Sequence, residues 1–226
     1  TAVESIRAKQ AFERDAMTAG VSILDYHTDN GIYTSQEYLK ELHSKGQGRS
    51  LSAVGAHHHN GVAEASIKHV IARARTMQIH AALRWPDASD RELWPMALAH
   101  AVSLHNITPN MKTGRSPEEV WTRSQSTHSR LRNVHVWGGP LYILDPRGQA
   151  GHKIPAWDPR SRRAQNMGFS PLHSSSVALA RNLTTGHISP QFHVVYDDFF
   201  ETVHTNGDDP PDVWSDLVIV QTYRAH

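Results

Sequence analysis

At 226 residues with 38% hydrophobic side chains, the chain is long enough for one domain of ordinary size, with a sizeable core, and a smaller appendage. No apolar run approaches the ~18 residues of a membrane span, and the absence of cysteine excludes disulfides and every zinc domain built on thiolates. A formal net charge of +1, with 17 His that add charge only below about pH 6.5, excludes a strongly basic nucleic-acid binder, so any such role rests on local clusters. The start Thr1-Ala2-Val3-Glu4 has neither an initiator Met nor a signal-peptide pattern and reads as cut from something longer.

Residues 3–19 are rich in Ala, Glu, Arg, Lys and Gln and free of Pro and Gly until Gly20, which predicts a helix on propensity. The apolar run 21–24 predicts a short buried strand leading through Asp25-Tyr26-His27-Thr28 to Asp29-Asn30-Gly31. A second helix over 35–45, capped by Thr34 or Ser35 and closed by Gly46, precedes a short strand at 51–54 and a flexible loop at 55–61. From Val62 onward Ile67, Val70, Ile71, Ala74, Met77 and Ala81 recur with a 3.6-residue period, so a core-packed amphipathic helix is expected to about Leu83. Pro86 breaks the chain, and Ser89 or Asp90 caps a further helix carrying Leu93, Met96, Ala97, Ala101 and Leu104 on one face. Ser116-Pro117-Glu118-Glu119 is a capping box that opens a short helix through Trp121.

Helix and strand therefore mix over residues 1–122. Beyond a Ser-, Arg- and His-rich linker at 123–133, a β-rich module is expected over 134–205, with strands at 141–144, 164–168, 176–181 and 187–196. Thr185-Gly186 turns a hairpin between the last two. Trp157-Asp158-Pro159-Arg160-Ser161-Arg162-Arg163 reads as a basic turn, and 206–226 as a linker and tail.

The chemistry-bearing residues gather on the third helix. Glu64 lies beside the apolar stripe, with Lys68 roughly 40° and Arg75 roughly 20° away, whereas His69, Arg73, Thr76 and His80 face the opposite side. An acid, a lysine and an arginine thus form a column, although a Glu in a first helical turn and a Glu–Lys pair four residues apart are also ordinary surface features. Asp29-Asn30-Gly31 is equally compatible with a plain turn. The pairing is what points to chemistry: 34 residues separate Asp29 at a strand end from Glu64 on a helix that follows a loop of His, Asn and Gly. His57, His58 and His59 invite a zinc site, but three adjacent residues rarely converge on one metal. The six Trp read as packing residues rather than base-stacking platforms.

This arrangement resembles the last two carboxylates of the D,D-35-E integrases of retroviruses and long-terminal-repeat retrotransposons. The motifs Tyr26-His27-Thr28-Asp29-Asn30-Gly31, His58-His59-Asn60-Gly61-Val62-Ala63-Glu64, Leu93-Trp94-Pro95, Asn106-Ile107-Thr108-Pro109 and Thr113-Gly114-Arg115-Ser116-Pro117-Glu118-Glu119 look like the copia branch of those elements, in this order. Gly168-Phe169-Ser170-Pro171 and the stretch from His187 to Asp198 also resemble that branch's Pol polyprotein, so the likeness covers about the whole chain. It implies an α/β fold with an RNase-H-like integrase catalytic core, a mixed sheet flanked by helices, over 1–122, followed by the small β-rich module. It also implies catalytic and metal-binding roles for Asp29 and Glu64 with Mg²⁺ or Mn²⁺, in which two ions roughly 3.5–4 Å apart promote in-line phosphoryl displacement.

Asn60, Lys68, Arg75, Arg160, Arg162 and Arg163 are then the residues expected to contact DNA. The implied partners are the element's DNA ends and target DNA, in a homo-oligomeric nucleoprotein complex without a membrane, in the nucleus during integration and in cytoplasmic particles otherwise. The family's first catalytic Asp has no match: Asp15 falls in the first helix and Asp25 in the strand that carries Asp29. DNA 3′-processing and strand transfer are therefore expected to be impaired in this chain. A non-catalytic nucleic-acid-binding or assembly remnant is the competing reading, and a cellular RNase-H-like nuclease is disfavoured by the β-rich module.

Overall fold

In the computed structural model, which describes residues 1–29, 31–52, 61–125 and 129–203, the chain divides into two compact units: Thr1–His69 with Glu118–Ser124, and Val70–Pro117 with the chain from Gln125 onward. The predicted α/β class is borne out, with helices and parallel strands followed by an antiparallel β module. Among the described residues no helix is long and apolar enough to cross a membrane.

Helix α1 spans Ala2–Thr18 and is started by Thr1, whose hydroxyl oxygen accepts from Glu4 N at 3.4 Å. The chain then turns, with Val21 N donating to Ala16 O at 2.8 Å. Strand β1 is Asp25–Thr28, not the apolar run 21–24. Pairing rather than hydrophobicity decides this, because the ladder begins where the parallel partner β2, Gly48–Leu51, begins, with Asp25 opposite Gly48 and Thr28 opposite Leu51. Leu24 is left 76% exposed. Strand β2 likewise starts before the predicted 51–54, and residues 53 and 54 lie outside the described part. Parallel strands need a crossover, here supplied by helix α2, Gln36–Ser44, which Ser35 caps by accepting from Tyr38 N at 3.3 Å. Ala16, Tyr38 and Leu42 are the apolar residues buried among these elements.

Helix α3, Gly61–Arg84, runs from the first unit into the second. Of its predicted apolar stripe, Ala74 and Ala81 are buried and Val70 and Met77 are packed against them, but Ile67 and Ile71 are more than half exposed. After a 3₁₀ turn at Pro86–Ala88, Asp90 accepts from Glu92 N at 2.9 Å and introduces α4, Trp94–Ile107; α5 is Pro117–Thr122. Ala97 and Ala101 of α4 join Ala74, Ala81, Leu93, Trp137 and Met167 in one apolar cluster.

The β module contains β3 (Pro140–Leu144), β4 (Ser161–Phe169), β5 (Ala178–Arg181), β6 (Ile188–Gln191) and β7 (Val194–Tyr196) in the order β6-β5-β4-β3-β7, all antiparallel. The single strand predicted over 187–196 is thus two strands on opposite edges of the sheet. Phe192 and His193 alone connect them, and three Cα steps reach at most about 11 Å, so the sheet coils until its edges approach, toward a small barrel. Edge position also accommodates Pro190, which has no N–H to donate to a neighbour. The basic turn predicted at 157–163 is corrected in its second half: Ser161, Arg162 and Arg163 open β4 and pair with Leu144, Ile143 and Tyr142.

Gly168 has φ +97° at an irregularity in the β4–β5 ladder, and a Cβ there would overlap the ring of His100 from α4. His100 is 4% exposed, and burial lowers its pKa from 6.5 to about 4. The unfolded chain therefore binds a proton that the folded one refuses between about pH 6.5 and about 4. Stability of the second unit is full above pH 6.5 and is expected to fall by about 3 kcal/mol as pH drops through that window. Denaturant titrations across pH should show this slope, and His100→Gln should flatten it.

Candidate active site

Asp29 follows the last residue of β1, where the parallel ladder ends, and its Oδ1 accepts from Gly31 N at 3.2 Å. Glu64 stands in the first turn of α3, where the helix macrodipole favours a carboxylate. Both are exposed, and both line one cavity of about 730 Å³ within the first unit, with Lys9 and Phe12 of α1, Tyr26, His27 and Thr28 of β1, and Tyr33 and Tyr38 among the other wall residues. The Thr28 hydroxyl, in a residue 8% exposed, has no hydrogen-bond partner. The two carboxylates that line this cavity are hard oxygen donors of the kind a divalent cation takes. Among the described residues no group of three or more His, Asp or Glu is placed to hold a metal ion.

A buried ion network that the sequence reading missed positions the strand leading to Asp29. Lys9 is 5% exposed, and its ammonium lies 2.7 Å from Glu13 Oε1 and 3.7 Å from Glu41 Oε1, an ion pair rather than a well-directed hydrogen bond. Lys45 donates to Glu13 Oε2 and lies 3.2 Å from Glu41, and Gln47 bridges Glu13 and the Ile23 carbonyl. Tyr26 of β1 donates to Glu13 at 2.8 Å, which with burial raises the phenol's pKa. Burial pushes Glu13 up, but hydrogen bonds from Lys45, Gln47 and Tyr26, with the Lys9 ammonium beside it, outweigh it and bring the carboxyl down to about 2. The traces of this in the sequence were Lys9 and Glu13 on the first helix and Glu41 and Lys45 on the second, each pair four residues apart, a spacing shared with ordinary surface pairs.

The predicted DNA contacts fall in different places. Lys68 is exposed in the first unit. Arg75 belongs to the second, half-buried, with its Nε and Nη2 buried and without hydrogen-bond partners. Arg160 and Arg162 are exposed in the second unit; Arg163 donates to the Thr202 carbonyl at 3.3 Å and lies over the Trp85 ring, 5.6 Å from its centre. Of the six Trp, Trp85 and Trp137 are buried, whereas Trp94 is 58% and Trp157 98% exposed. Asn60 and His57 to His59 lie outside the described residues.

No family model matches the chain. Over 124 residues, 54% of its length, the chain is 31% identical to the Retrovirus-related Pol polyprotein from transposon TNT 1-94 of Nicotiana tabacum, and it spans 9% of that relative. The resemblance of its motifs to a Pol polyprotein is borne out by this match. A cryoEM structure of the simian T-cell lymphotropic virus intasome in complex with PP2A regulatory subunit B56 gamma aligns with 87% of this chain and 64% of that chain, at 15% identity and a TM-score of 0.41.

Lys9→Met removes the cation between Glu13 and Glu41 and is expected to destabilise the first unit by about 3 kcal/mol, because breaking a buried pair leaves an uncompensated charge. Since Glu13 is depressed in the fold, its contribution is present above about pH 4.5 and lost as pH falls toward about 2. A Lys9→Met chain as stable as the parent would contradict this role.

Proposed function

We propose that the chain is part of a retrotransposon integrase, with an RNase-H-like catalytic core that uses Asp29 and Glu64 to hold Mg²⁺ or Mn²⁺ for phosphoryl transfer on DNA. The observation that carries the reading is the common cavity: acids with 34 residues between them in sequence, one at a strand end and one in a helical first turn, line the same cavity. The 31% match to a Pol polyprotein supports it. Asp29 and Glu64 would hold the ion, whose bound charge would supply activation of a water or a 3′-hydroxyl and stabilisation of the leaving oxygen. The Gly31 amide holds one Asp29 oxygen, which leaves the other for coordination.

Lys68, exposed one helical turn beyond Glu64, contacts DNA phosphate without reading sequence. Arg160 and Arg162 add charge for DNA in the second unit. The partners in this reading are the element's DNA ends and target DNA, held by several copies of the protein in a nucleoprotein complex.

The Mg²⁺-dependent nicking or joining of duplex oligonucleotides left to the chain, reduced because the family's first catalytic Asp has no match in it, is expected to be abolished by Glu64→Gln and by Asp29→Asn; equal activity of either variant would refute the assignment. DNA affinity gives a second measure. Lys68→Ala should weaken binding about equally across sequences and lower the salt slope by about 1, whereas Arg73→Ala, exposed and nearly opposite on the same helix, should change it little. Equal losses in both would reduce the effect to net charge.

A further inference from the structure

His27 precedes Asp29 by two residues, and the period of two along a strand places both side chains on one face of the parallel pair. Both line the cavity that holds Glu64. The imidazole is committed to β2 at both ring nitrogens, with Nδ1 2.9 Å from the Ser50 hydroxyl oxygen and Nε2 3.3 Å from that of Ser52. Register explains the pair of contacts: His27 stands opposite Ser50, and Ser52 recurs two residues along on the same face. Hydroxyls both donate and accept, so these contacts hold in either imidazole tautomer. With both nitrogens directed at serines, neither is free for a cation, and the ring does not serve as a metal ligand.

What it does is fasten the end of β1 to β2. Ser52 N also donates to the Thr28 carbonyl at 2.9 Å, and Ser52 is only 8% exposed. Ser52 therefore pins the end of β1, directly before Asp29, through both its backbone and its side chain.

We propose that His27 is a positioning residue of the Asp29–Glu64 site, acting through Ser50 and Ser52 to fix the end of β1 against β2 and so the place of the Asp29 carboxylate. This rests on the metal-binding reading given above. A small cation such as Mg²⁺ demands near-ideal geometry at oxygen distances of about 2.0–2.1 Å. Play at the Ser52 anchor moves the Asp29 oxygens off the positions such an ion needs.

The test is a Mn²⁺ titration of the full chain followed by electron paramagnetic resonance, with a thermal melt of every variant. Asp29→Asn and Glu64→Gln should remove the site. His27→Ala and Ser52→Ala should each weaken Mn²⁺ binding about tenfold, the usual scale for residues that orient metal ligands. The double variant should weaken it no further than either single one, because the same clamp has been opened. His27→Gln, whose amide still reaches one hydroxyl, should recover part of the affinity, and His43→Ala on α2 should leave it unchanged. Parental affinity in His27→Ala overturns the proposal, as does a double-variant loss equal to the product of the single losses. If His27→Ala does not fold, Ser52→Ala and His27→Gln carry the same comparison. If the parent shows no Mn²⁺ binding that Asp29→Asn and Glu64→Gln remove, the metal reading itself falls and takes this proposal with it; intact binding at the acids with an indifferent His27 removes the proposal alone.

Discussion

A charge withdrawn from water must be matched where it lies, and in the first unit that requirement falls on Lys9. Few apolar side chains are buried among α1, α2 and β1, and Ala16, Tyr38 and Leu42 are its core. The elements are aligned instead by a lysine with glutamates from two helices, joined by Lys45, Gln47 and the Tyr26 phenol. Such a network tolerates little displacement, because an ammonium or carboxylate left unpaired at this depth is far more costly than a lost methyl contact. Tyr26 belongs to the same strand that delivers Asp29. The placement of the first acid thus depends on the completeness of an ion network that contains neither catalytic candidate.

The second unit is ordered by the opposite means. Its helices and sheet approach closely because small residues stand at the contacts: Ala74, Ala81, Ala97 and Ala101 pack with Trp137 and Met167, and Gly168 leaves room for the His100 ring. Alanine and glycine at such contacts leave almost no slack to absorb a larger side chain. The same close packing keeps His100 neutral. The stretch resembling the polyprotein near Asp198 is structural here: its carboxylate accepts from Val136 N and pairs with His135, whose ring stacks on Tyr196 at 3.5 Å.

Two carboxylates on a cavity wall suit a small hard cation better than a soft or tetrahedral one, since both donors are oxygens and cysteine is absent from the chain. Their supports differ in kind. Asp29 is held by the backbone of its own turn through Gly31 N, while Glu64 is carried by the first turn of α3. The serines of β2 that clasp His27 hold the strand end ahead of Asp29.

The sequence by itself determined the helices, the mixed class of the first half, the strand-rich second half and the two acids, because propensity, caps and a 3.6-residue period act within a few residues of where they are written. Ser35, Asp90 and the turn at Gly186 sit where their local chemistry put them. Tertiary structure decided what depends on a partner far along the chain. Strand β1 lies at Asp25–Thr28 because Gly48–Leu51 is there to pair with it, although residues 21–24 are the more apolar. The run 187–196 broke in two because the sheet's edges had to be met from both sides. Lys9, Glu13 and Glu41 form a buried network only once two helices bring them together, and no spacing distinguishes a lysine so placed from one on a solvated face. His27 was legible as a neighbour of Asp29 but not as a clasp, since its serines come from a strand more than 20 residues away, and only parallel register places them at its two nitrogens.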